Sequence, residues 1–121
     1  VVLSIGKNMS PDDEQGKAVI MEFFYHDCEP DVANWAISRL RNQRSLAHAF
    51  DIFSLKALPD VDYAYIACAD DRIISPAWQR YAAQKRLGVE AIEIPSGHCP
   101  HLSRPAHLAE VLNEIASKNY S

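Results

Sequence analysis

The chain has 121 residues, 48% of them apolar and 23% charged, with 16 acidic against 12 basic side chains and a net charge of −4. This length suits one domain rather than two, and the composition is globular rather than disordered. A negative balance without a basic stripe argues against a nucleic-acid partner, and no apolar run approaches the ~20 residues of a membrane helix.

The chain opens with Val1-Val2-Leu3, which reads as a strand remnant. The polar stretch that follows contains Ser10-Pro11-Asp12-Asp13-Glu14. Ser before Pro, with acids in the next turn, is a helix-start signal, so a short helical turn is expected here. Over 16–26 the apolar residues Val19, Ile20, Phe23 and Phe24 recur on one helical face. Pro30 interrupts the chain. Over 31–42, Val32, Ala36, Ile37 and Leu40 again hold the helical period. Arg39, Arg41 and Arg44 cluster near the end of this segment, where cations suit a helix C-terminus, and they read as a solvated face. Residues 1–54 are therefore expected to form a helical region.

The pattern changes after Pro59. Residues 63–68, Tyr-Ala-Tyr-Ile-Ala-Cys, are nearly continuous in apolar and aromatic side chains, as in a strand buried on both faces. Ser75 is a candidate N-cap and Pro76 a first helical residue. The helix predicted over 76–87 ends at Gly88. Residues 89–94 read as a second strand, 95–104 as a loop, and Pro105 opens a last helix with Leu108, Leu112 and Ile115 on one face. Strand, helix, strand, helix implies two adjacent parallel strands, hence α/β architecture over 55–121. Two parallel strands make an unstable sheet by themselves, so this reads as the last part of a larger one. Such a chain is expected to be stable only beside a missing N-terminal half or a second copy of itself, because its sheet edge would otherwise lie open.

Cys28, Cys68 and Cys99 are odd in number and widely spaced, without a C-x-x-C, which points to reduced thiols and a cytoplasmic protein. The chain begins at Val1 rather than Met and shows no basic-then-apolar leader, so it reads as processed, trimmed or incomplete at its start.

In open α/β sheets, ligands gather beyond the carboxyl ends of the strands. Two loops leave those ends. One carries Ala69-Asp70-Asp71-Arg72 and the other Ser96-Gly97-His98-Cys99-Pro100-His101. Parallel pairing brings an acid and a histidine together there. An Asp bonded to a His fixes the imidazole tautomer, and such a His serves as general base for a hydroxyl nucleophile. Asp71 and His98 are the leading candidates, with Asp70 and His101 as their alternatives. His98-x-x-His101 is only half a metal site, with no further ligands at a helpful spacing.

Residues 68–80, Cys-Ala-Asp-Asp-Arg-Ile-Ile-Ser-Pro-Ala-Trp-Gln-Arg, resemble the acid loop of the α/β-hydrolase superfamily. Residues 97–105, Gly-His-Cys-Pro-His-Leu-Ser-Arg-Pro, resemble its histidine loop. The nearest likeness is to small esterases related to plant methylesterases and hydroxynitrile lyases. There the acid is followed by a Gln-Arg pair, like Gln79-Arg80, and the His precedes a Pro, as His98 precedes Pro105. Phe24-Tyr25-His26-Asp27-Cys28 is similar to part of that group's cap.

The resemblance implies a helical cap over 1–54, and over 55–121 the C-terminal portion of a hydrolase core. It also implies a Ser-His-Asp triad for which this chain supplies Asp71 and His98, a small-molecule ester substrate, and no cofactor or metal. Hydroxynitrile lyases of the group commonly carry Lys directly after the His; Cys99 stands there, which favours ester chemistry. Phe24, Tyr25 and Trp35 are candidate substrate-pocket residues, with Phe23 and Phe50 beside them as aromatic alternatives. The family's G-x-S-x-G elbow is absent: no two of Gly6, Gly16, Gly88 and Gly97 stand four apart. The nucleophile is therefore expected outside this chain. A slow-hydrolysing or non-catalytic ligand receptor of the same fold and an inactive truncated fragment are the rival readings.

Overall fold

A computed structural model describes residues 9–42 and 57–119. The readings of Val1-Val2-Leu3, Arg44 and Phe50, and the boundary at 54/55, fall outside the described residues.

The helix-start signal near Ser10 belongs to helix α1, Glu14–Phe24, whose N-cap is Asp13. The Asp13 carboxylate accepts the Gly16 N–H at 2.7 Å, satisfying one of the orphan donors of the first turn. Residues 11–13 are a turn leading into α1 rather than a separate helix. Helix α2, Pro30–Arg39, has Pro at its first position and stops three residues short of the expected Asn42. Leu40 leaves in an extended conformation, with ψ 154°, because its N–H closes back on the Ile37 carbonyl. The predicted stripes meet in part: Ile20 packs with Ala36 and Ile37 and Phe24 lies against them, Tyr25 and Ala33 join from outside the stripes, and Leu40 is left 36% exposed. Small residues on α2 allow the close approach. Cys99 joins the same cluster and Leu102 packs against it, so the histidine loop is seated in the core of the helical region.

Strand β1, Tyr65–Cys68, pairs in parallel with strand β2, Ala91–Ile94, with Cys68 opposite Ile94. Both are two residues shorter at their N-terminal ends than the apolar runs predicted. Between them lies helix α3, Pro76–Ala82, continued by a π-helical turn at Ala83–Leu87 instead of the uniform α-helix expected over 76–87. The wide turn lets the Val89 N–H reach the Ala83 carbonyl at 3.2 Å, and Gly88, at φ 70°, ends the segment as read. Ser75 occupies the N-cap position, but its side chain makes no cap bond. The loop expected over 95–104 contains a one-turn helix α4, Pro100–Ser103, before helix α5, Pro105–Asn119.

The result is a small α/β fold: a helical N-terminal cap followed by a strand–helix–strand–helix core. Helix α5 closes the second core, where Val111 packs on Cys68 and Ile94, with Ile66, Leu108 and Ile115 around them. Among the described residues no helix is long and apolar enough to cross a membrane. Ile94 is nearly inaccessible, at 1% exposure, and sits at the strand end that carries the histidine loop. Ile94→Ala should cost about 2–5 kcal/mol through lost burial and an unfilled cavity, read as a lower melting temperature than that of the unsubstituted chain under the same conditions.

Candidate active site

Backbone hydrogen bonds join the two chain segments just past the ends of β1 and β2. The Ala69 N–H donates to the Ile94 carbonyl at 3.0 Å, and the Asp70 N–H to the Ser96 carbonyl at 3.0 Å. The two loops therefore leave the sheet bonded to each other. A step beyond this bond, the side chains of Asp71 and His98 meet, with His98 Nδ1 2.9 Å from Asp71 Oδ2. A carboxylate oxygen accepts, so Nδ1 carries the proton and donates. With Nδ1 committed, Nε2 is the nitrogen left for proton transfer.

Asp71 is held more tightly than its partner: its side chain is 4% exposed, against 26% for His98. Asp71 Oδ1 accepts the N–H groups of Ile73, at 2.7 Å, and Ile74, at 3.0 Å. Oδ2 accepts Gln79 Nε2 at 3.0 Å as well as His98. The first pair is the side-chain-to-backbone turn that Asp favours, here serving to aim the carboxylate. Of the two adjacent acids, Asp71 faces the imidazole. Asp70 is exposed and contributes its backbone.

Gln79 is a residue whose part the sequence reading left unassigned. It is buried, and its Oε1 accepts the Cys68 N–H at 3.0 Å while Nε2 also donates to the Ile74 carbonyl at 2.9 Å. One amide thus ties the end of β1, the acid loop and the Asp71 carboxylate together. The available signal was position: Gln79 shares the buried side of its helix with Ala82, and a polar residue there needs partners. Its neighbour Arg80 makes an exposed ion pair with Glu93 at 3.1 Å.

The three candidate pocket aromatics are placed differently. Phe24, at the end of α1, stands edge-on to the His98 ring, with centroids 5.3 Å apart and planes at 85°. Tyr25 is buried in the cap core. Trp35 is 55% exposed, with the Arg39 guanidinium 5.8 Å over its ring. His101 is exposed on α4. Burial pushes the thiols of Cys28 and Cys68 up, and that of Cys99 up to about 11, so they are poor nucleophiles near neutrality. Among the described residues no group of three or more His, Cys, Asp or Glu side chains is arranged to hold a metal ion.

The frame is that of a parallel α/β protein, with an Asp-bound His at the carboxyl edge of the sheet, where ligands gather in such folds. Sequence comparison gives that frame its family. Residues 9–111 match the alpha/beta hydrolase family, and the chain belongs to it. It is also 28% identical over 100 residues to the alpha/beta hydrolase nvfD of Aspergillus novofumigatus, a match covering 82% of this chain and 40% of that protein. The chain thus spans about half the length of that curated relative.

Gln79→Leu should leave the buried Cys68 N–H without its partner and remove one donor from Asp71. We expect a stability loss of about 1–3 kcal/mol or more, measured by thermal melting. Cys99 should react with iodoacetamide at pH 8 far more slowly than a free thiol, since a value near 11 instead of 9 leaves roughly 100-fold less thiolate.

Proposed function

We propose that this chain supplies the acid and the base of a carboxylic-ester hydrolase whose serine nucleophile lies outside it. The observation that carries the reading is the 2.9 Å contact of His98 Nδ1 with a buried Asp71 carboxylate at the carboxyl edge of parallel strands. Residues 1–54 act as the cap and 55–121 as the C-terminal part of the core. Within the superfamily, the proposal places the protein near the methylesterase-like and hydroxynitrile-lyase-like small esterases. Cys99 directly after His98, where lyases of the group commonly have Lys, favours ester cleavage.

In this reading a serine hydroxyl attacks the ester carbonyl while His98 Nε2 takes its proton. Asp71 holds the imidazole in the tautomer that exposes Nε2 and stabilises the imidazolium that forms. Backbone N–H groups outside this chain stabilise the oxyanion. His98 then protonates the leaving alcohol. Water then attacks the acyl carbonyl while His98 Nε2 takes its proton, and the imidazolium returns that proton to the serine oxygen as the acyl–oxygen bond breaks, releasing the carboxylic acid and the free serine. The chemistry calls for no metal or cofactor. Phe24, edge-on to His98, is the aromatic best situated to border a small apolar substrate; Tyr25 backs it from the core, and Trp35 lies farther out on the cap.

In the serine-bearing protein, His98→Ala should lower kcat for a p-nitrophenyl ester by several powers of ten. Asp71→Asn should also lower it strongly, by favouring the wrong tautomer, and Asp70→Asn much less. Near-normal turnover in His98→Ala would refute the assignment. The sheet has only two strands among the described residues, and we infer that a further part of the hydrolase, or a second copy of the chain, covers its open edge. The 121-residue chain alone should self-associate on size-exclusion chromatography and show no acyl burst. A monomer with a cooperative urea transition contradicts this.

A further inference from the structure

The dipeptide His26-Asp27 lies just beyond α1, in a stretch where the sequence analysis assigned no chemistry to either residue. Both side chains reach across to the core. The His26 Nε2–H donates to the Asp70 carbonyl at 3.1 Å. Asp27 Oδ2 accepts the Gly97 N–H at 2.7 Å, a short, charge-assisted bond. Asp70 and Gly97 are the residues immediately before Asp71 and His98.

These bonds close on themselves. The Ser96 carbonyl and the Gly97 N–H belong to one peptide unit. Its oxygen accepts the Asp70 N–H, and its N–H is held by Asp27. Asp70 in turn offers its own carbonyl to His26, which is covalently joined to Asp27. The acid loop, the histidine loop and the cap thus form a ring of hydrogen bonds, and both members of the Asp71–His98 pair hang from it by one residue. The packing leaves little slack. A Cβ on Gly97 would fall 2.5 Å from Asp27 Oδ1 and 2.8 Å from His26 Nε2, so only glycine admits the approach. The Arg72 Nη1–H donation to the Glu22 carbonyl, at 3.3 Å, ties the acid loop to α1 a second time.

Resting on the esterase reading for its catalytic consequence, we propose that His26 and Asp27 are positioning residues: the cap dipeptide fixes the Ser96–Gly97 peptide and thereby sets the Asp71–His98 hydrogen bond. The cap then acts on the reaction through backbone geometry, apart from any contact with substrate.

The ring persists wherever the enzyme works near neutrality. Burial by itself would raise the Asp27 carboxyl, but the Gly97 N–H, the Ser103 hydroxyl and His26 outweigh it and hold it below its ordinary 3.8. A depressed value stabilises the fold above the ordinary pKa and is lost only as pH falls through the folded one.

The test is made in the serine-bearing protein with p-nitrophenyl acetate, pH profiles, and proton NMR of the downfield His98 Nδ1–H. His26→Ala and Asp27→Ala should each lower kcat on the order of 10- to 100-fold, as misplacement of a reacting group does, with KM within about 3-fold. The pH profile of kcat/KM should differ from that of the unsubstituted protein. The downfield proton should shift or broaden. Acting through one ring, the two losses should fail to multiply in the double variant. Asp27→Asn keeps a carbonyl oxygen for the Gly97 N–H and should retain most of kcat, which guards against simple misfolding. Unchanged kcat, pH profile and downfield proton in the folded variants would overturn the proposal, as would fully multiplicative losses. An esterase reading that fails, with wild-type turnover indifferent to His98→Ala, leaves the downfield proton to judge the ring by itself.

Discussion

The backbone bond from the Asp70 N–H to the Ser96 carbonyl does more than prolong a short sheet. It lies beyond the last residue of either strand and holds together two loops that would otherwise diverge. The register moves on by one residue here, from the 26-residue offset of the paired strands to 27, and this brings the side chains of Asp71 and His98 to hydrogen-bond distance. A slip of the strands would send alternate side chains to the opposite face and separate the pair. The fold itself therefore sets the geometry of acid and base, and the strand ends matter more than the strand interiors.

Around this bond the local chemistry removes freedom step by step. Asp71 turns back on Ile73 and Ile74, Gln79 fills its second oxygen, and the same amide caps the end of β1. Such a network is stable only when each member is satisfied, because an unpaired polar group in a buried place is costly. His98, by contrast, stays partly open. In the proposed esterase, the buried carboxylate would hold still while the accessible imidazole meets the ligand.

The helical cap is continuous with this machinery. Cys99 sits in the cap core beside Tyr25, Phe24 stands against the His98 ring, and His26 and Asp27 bond the two loops. The histidine loop is therefore clasped between two cores, one of cap helices and one of sheet and α5. Cap and site respond to each other for ordinary reasons of packing, with no need for a long-range pathway.

The sequence by itself determined the element types, because hydrophobic periodicity and the Pro and Gly boundaries are local signals. The helices at both ends, the two parallel strands, Gly88 as terminator, and an acid and a histidine on successive strand-end loops were legible, whereas burial on both faces was not met: Ile92 in β2 is 37% exposed. It left the lengths approximate: α2 stops at Arg39, the strands lose their first residues, and α3 opens into a π-turn, since the ends of elements answer to hydrogen bonds outside the pattern. Only the tertiary structure decided that Asp71 rather than Asp70 faces His98, that Gln79 supports it, and that His26 and Asp27 close the ring. Those partners lie up to 70 residues apart, and a pairing across such a distance has no periodicity to announce it. It exists only once the strands are in register and the cap is packed against them.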